Sequence, residues 1–161
     1  MCWMCDHPQA TVADADARMW GLIDRYGWAV QCIEPSRRSP SWGYTVGLSG
    51  LGLPELVATG LKPDRLMNLL NALAAHVVHA EAPEPGSQVH LIDGPLLEFV
   101  ELSQPTAHLF TAVRMFGPRI RAIQAVYADD RGQWPWSRGF RGGRGGQPVL
   151  GPRTVVTGRP S

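Results

Sequence analysis

Apolar residues return along this chain at two spacings, and the switches between them mark its elements. Met19, Trp20, Leu22 and Ile23 recur at helical intervals behind Thr11, which forms a capping-box pattern with Asp14 three residues on. A helix is predicted over residues 12–25, ended by Gly27. Residues 28–33 then read as a strand, followed by a loop over 34–41 rich in Ser, Pro and Arg. The next stretch, 42–61, reads as two strands with a turn at 49–53 between them. Pro54 suits a first strand residue, where a missing amide donor is tolerated, and Gly60 ends the strand.

The second half repeats the contrast. Pro63 stands at a natural first helical position, and Leu66, Leu69, Leu70, Leu73, Ala74, Val77 and Val78 form one apolar stripe, predicting a helix over 63–80. After a polar linker at 81–87, strands at 89–92 and 96–102 flank Asp93-Gly94-Pro95 as a hairpin. Pro105 opens a third predicted helix, with Leu109, Ala112, Val113 and Phe116 on its buried side, and Gly117-Pro118 closes it. A last strand covers 120–128, and Asp129-Asp130-Arg131-Gly132 turns the chain toward Trp134 and Trp136. From Ser137 the chain becomes glycine-dense, which keeps a backbone flexible unless a neighbour orders it. The expected fold is α+β: a mostly antiparallel sheet of about six strands, three helices and a flexible Gly/Arg-rich C-terminal tail. It divides into an N-terminal Cys/His segment (1–11), one domain (12–136) and the tail (137–161).

Composition narrows the partners. With 161 residues and a net charge of +1, the chain has the size of one domain and no global field to gather nucleic acid or a membrane surface. Lys62 is its only lysine, so its basic contacts fall to arginine. The N-terminus has no basic stretch followed by an apolar one, and no run approaches a membrane span of about 20 apolar residues. Three cysteines, Cys2, Cys5 and Cys32, make a poor disulfide framework and suit a reducing, cytoplasmic compartment.

Several residues could carry chemistry. Cys2, Cys5 and His7 are spaced to turn two thiolates and an imidazole toward one zinc, with Cys32, His108, Asp6 or a water as fourth ligand. The plainer reading is a frayed terminus with reduced thiols. His76 and His79, three residues apart on the second helix, read first as a solvated face. Glu55 is unusual at a strand start, where it would either face solvent or pair with an arginine or a hydroxyl such as that of Tyr44. An enzyme reading would gather Tyr44, Glu55, Asn71, His108 and Gln124 in one pocket, whereas a structural reading makes Glu55 a hydrogen-bonded anchor. Glu98 and Glu101 are too loosely placed to nominate as a carboxylate dyad. Arg138, Arg141 and Arg144 among glycines, with Phe140, have the form of a short RNA-binding segment, and a flexible terminus is the simpler account. Trp134 and Trp136 could cap the core or meet a partner.

The motifs at 44–48 (Tyr-Thr-Val-Gly-Leu) and 54–57 (Pro-Glu-Leu-Val), with Asn71, Gln124, the 130–136 turn and Gln147-Pro148, resemble the bacterial family known as domain of unknown function 4262. The resemblance runs over residues 28–150 and implies the fold boundaries; it transfers no catalytic residues. The Cys2, Cys5, His7 cluster and the Arg-Gly tail look like features of one subgroup. Three functions follow as expectations: an accessory or binding protein for a protein partner or small molecule, holding one zinc; a small enzyme; and an RNA-associated protein. Elemental analysis of the untagged chain decides the zinc reading, which requires zinc in the parent and none after Cys2→Ser and Cys5→Ser together. Unchanged metal content in the double variant removes the cluster as a ligand set.

Overall fold

Thr11 and Asp14 close the predicted cap from both sides: Thr11 N donates to Asp14 Oδ2 at 2.8 Å and Asp14 N donates to Thr11 Oγ1 at 3.2 Å. The structure, a computed structural model, describes residues 3–154 apart from the side chains of Trp3 and Cys5. A single turn, α1 (Trp3–Asp6), precedes the capped helix α2 (Val12–Tyr26), which Gly27 ends by donating its N–H to Ile23 O at 2.7 Å. The strands are β1 (Ala29–Ile33), β2 (Trp42–Val46), β3 (Glu55–Thr59), β4 (Gln88–His90), β5 (Leu96–Glu101) and β6 (Ala122–Tyr127). Between them lie α3 (Pro63–His79) and α4 (Phe110–Phe116). Pro105 does not open α4: it begins a 3-10 turn, Pro105–Ala107, and α-helix starts only at Phe110. His108 N there bonds back to Pro105 O, and Leu109 leaves helical geometry at ψ 60, which separates the two pieces.

The six strands form one sheet in the order β1-β2-β3-β6-β5-β4. Every pair is antiparallel except β3 and β6, which run parallel with Val57 opposite Gln124. The hairpins β2–β3 and β4–β5 are local, whereas β6 comes late in the chain and slots between them, joining two halves into one sheet. Alternation along β3 then serves both faces. Leu56 and Ala58 pack with the α3 stripe of Leu66, Leu70, Leu73 and Val77, while Val57 joins Tyr44, Val46, Met19 of α2 and Ala112 of α4.

Residues 137–154, from the stretch expected as a tail, lie against this sheet. Phe140 is buried in the α3-side core. The Gln147 side-chain amide acts as a peptide group for the end of β6, accepting from Tyr127 N at 3.0 Å and donating to Tyr127 O at 2.9 Å. Glycine permits the close approach: Gly60 has φ +77, and a Cβ built there would stand 2.2 Å from Gly146 O. Gly60→Ala is therefore expected to lower unfolding free energy by about 2 kcal/mol or more, through left-handed strain and a backbone clash. An unchanged denaturation midpoint would show that this contact contributes nothing.

Candidate functional site

Glu55 begins β3 and has no exposed surface. Its Oε1 accepts from Thr45 Oγ1 at 2.9 Å and Leu48 N at 3.1 Å. Its Oε2 accepts from Ser49 N at 2.9 Å, Ser49 Oγ at 2.5 Å and Gly47 N at 3.3 Å. Thr45 Oγ1 is itself an acceptor for Leu56 N at 2.8 Å, so its single hydrogen goes to the carboxylate. Gly47, at φ 123, lets successive amides of the β2–β3 connection converge on one point. All five donors are neutral, and among the described residues no ion pair reaches Glu55. Burial pushes the carboxyl above its ordinary range, against the pull of the bonds from Ser49, Thr45 and Gly47.

The other nominated pocket residues do not gather around it. The Tyr44 hydroxyl accepts from Thr111 N at 3.1 Å, so it braces α4 and is not the Glu55 partner. The Tyr44 ring stacks on Trp42 at 5.4 Å, and Trp42 meets the His108 ring edge-on at 6.2 Å. Gln124 stands two strands from Tyr44, across Val57. Its amide donates to Thr59 Oγ1 at 3.2 Å and Pro148 O at 2.8 Å, and accepts from Leu150 N at 2.8 Å. Asn71 sits apart on α3, accepting from Trp28 Nε1 at 3.0 Å. Tyr44, Trp42 and His108 thus meet on the α2 and α4 side, and Glu55, Gln124 and Asn71 each serve a separate contact.

Cys2 and the Cys5 side chain, two of the three zinc candidates, lie outside the described residues. Of the proposed fourth ligands, Cys32 packs against the α3-side core, where burial pushes its thiol up, while His108 lies beside Trp42 on the other face. The sheet therefore separates these two. Among the described residues no group of three His, Cys, Asp or Glu side chains comes together as a metal site. His76 and His79 are exposed on α3.

Arg141 is bound up in the fold. Its guanidinium donates to the Tyr127 hydroxyl at 2.8 Å and to Gly60 O at 3.0 Å, while its backbone N donates to Asp129 Oδ2 at 2.7 Å. Arg144 Nε donates to Arg141 O at 3.0 Å, and Arg138 is exposed.

Asp129, read as part of a turn, also accepts from Arg131 N and Gln133 N, and so fastens that turn to Arg141. Its carboxyl lies below the usual range because of these backbone donors, led by Arg141 N. Beside it opens a groove of about 1040 Å³ between α3, the β4–β5 turn and the turn after β6. Arg65 and Asn68 line its helical side, His90 and Asp93 the hairpin side, and Asp129, Asp130 and Arg141 the third. A smaller groove of about 490 Å³ lies between α2 and α3 next to β1, with Arg18, Leu22, Trp28, Met67 and Asn71 in its walls. The Asp-Asp-Arg-Gly turn pointed to one side of the larger groove; its other walls come from segments remote in sequence.

Fold and site together define a small α+β domain whose buried polar side chains are spent on contacts within the fold and whose exposed charges Arg65, Asp93 and Asp130 face an open groove. The chain belongs to the family described as Domain of unknown function (DUF4262), which matches residues 22–141. Gln147 and Pro148, counted toward the resemblance, fall outside that span. No curated protein and no solved structure matches the chain. Among the described residues no helix is long and apolar enough to cross a membrane.

Glu55→Gln should test the carboxylate directly. The amide would set an NH2 against N–H groups that need an acceptor, lowering stability by about 2 kcal/mol or more in chemical denaturation. A carboxyl raised in the folded state adds stability that is complete below the unfolded value of about 4.3 and is lost as pH rises through the folded value. Carbon-13 NMR is expected to place the Glu55 midpoint above the ordinary glutamate range, and the corresponding slope in stability should vanish in Glu55→Gln. A midpoint at or below that range contradicts the dominance of burial.

Proposed function

We propose that this protein is a binding module whose ligand lies in the groove between α3 and the β4–β5 hairpin, and that Glu55 is an anchor within the fold and takes no part in catalysis. The observation that carries this reading is the lining of the groove. Exposed Arg65 is set in one concavity with exposed Asp93 and Asp130, beside Asp129 and Arg141, which hold the turn in place, and all lie inside the family-matched span of 22–141. Apolar surface from Leu61, Leu91 and Leu96 lies among them. Such a lining suits a small polar molecule carrying both charges, such as an amino acid or dipeptide, with its carboxylate on Arg65 and its ammonium on Asp93 or Asp130. The anchor reading is supported by the enclosure of Glu55, whose two oxygens already hold five hydrogen bonds and have no surface toward a substrate.

Amide NMR of the full chain against a panel of free amino acids and dipeptides tests the proposal. Shifts are expected to cluster at Arg65, His90, Asp93 and Asp130 for at least one member, and to weaken about tenfold or more with Arg65→Ala or Asp130→Asn. Shifts confined to other surfaces, or none across the panel, would overturn it.

A further inference from the structure

On the other side of the molecule a second site is already filled by the chain itself. Glu98 lies on β5 with its side chain only 3% exposed, and Arg153 grips it with two bonds, Nε to Oε2 at 2.7 Å and NH2 to Oε1 at 3.0 Å. The guanidinium also lies over the Trp136 ring, 4.2 Å from its centroid, and Trp136 is backed by Trp134 in a parallel stack at 5.3 Å. Gln88 of β4 donates to Glu98 Oε1 at 2.9 Å and holds the carboxylate in place. A buried carboxylate, a backed aromatic face and a fork-shaped fit are what a guanidinium needs and an ammonium does not satisfy.

The walls and the guest differ in origin. Glu98, Gln88 and Trp136 belong to the sheet and to the loop after β6, whereas Arg153 arrives on a segment outside any helix or strand and leaves 43% of its side chain exposed. That segment is seated like a bound peptide: Leu150 N bonds to Gln124 Oε1, Leu150 O accepts from Ser103 N, and a Cβ built on Gly151 would stand 2.0 Å from Glu101 O. Burial opposes ionisation of Glu98, but the bonds from Arg153 and Gln88 outweigh it and its carboxyl lies below the usual range. Removing the guest leaves a buried charge without a counter-ion.

We propose that the Glu98–Trp136 pocket is an arginine-recognition site, occupied in cis by Arg153, that accepts the arginine of an extended partner peptide in competition with the chain's own segment. Tethering gives Arg153 an effective concentration in the millimolar range, so the parent chain resists a free competitor and loss of the tethered arginine exposes the site.

The probes are acetyl-Gly-Pro-Arg-amide and its citrulline counterpart, read by tryptophan fluorescence and indole NMR on the full chain. The arginine peptide is expected to bind Arg153→Ala about tenfold or more tighter than the parent. The double variant Arg153→Ala, Glu98→Gln should lose this binding, and the citrulline peptide should bind neither. Equal binding to parent and Arg153→Ala, binding that survives Glu98→Gln, or no binding would overturn the site. Should Arg153→Ala fail to fold, recovery of its near-ultraviolet circular dichroism by the arginine peptide alone supports the proposal, and absence of recovery overturns it.

Discussion

The Glu55 carboxylate is the constraint on which the centre of the sheet depends. Three backbone N–H groups from the β2–β3 connection and two hydroxyls point at it, so the turn is fixed by a side chain at the start of the strand it leads into. In the same place Glu55 N donates to Arg121 O at 2.9 Å, which ties the start of β3 to the start of β6. One residue thus sets the hairpin and opens the only parallel ladder among the described strands. A buried carboxylate with neutral donors alone is costly to desolvate, and its tolerance here reflects how many backbone amides it relieves at once.

From that point a polar seam crosses the sheet. Thr59, Gln124 and Gln147 are buried, and each satisfies backbone groups that regular pairing leaves over: Pro148 O accepts from both Thr59 and Gln124, and Gln147 extends the ladder past the end of β3. No buried side-chain nitrogen or oxygen among the described residues lacks a partner. This economy sets the interior, where polar atoms hold the chain together, apart from the exposed charges of the larger groove, such as Arg65, Asp93 and Asp130. It is also why residue types that suggest catalysis in a list turn out to serve backbone contacts.

Much of the architecture was legible because it rests on local rules. The α3 stripe repeats at helical spacing, the Thr11–Asp14 cap is a three-residue pattern, and the β4–β5 hairpin follows its Asp-Gly-Pro turn. Glu55 stood out as a charge in a strand, although its donors could not be named: Gly47, Leu48 and Ser49 act through backbone amides that carry no sequence signature. The late start of α4 has no sequence signature, because an apolar spacing cannot tell a 3-10 turn leading into a helix from the first turn of that helix.

By itself, the sequence determined the six strands and the three longer helices, the face that α3 buries, and the family to which the chain belongs. The tertiary structure decided the insertion of β6 between two hairpins, the seating of Arg141 on Tyr127 and Gly60, and the closing of Arg153 on Glu98 over Trp136. The reason is separation along the chain: Arg141 meets Gly60 across 81 residues and Arg153 meets Glu98 across 55. Periodicity reports only on neighbours within a turn or a strand. Glycine and arginine from Ser137 onward look alike whether they hang free or lie docked, and only the surface they meet distinguishes the two.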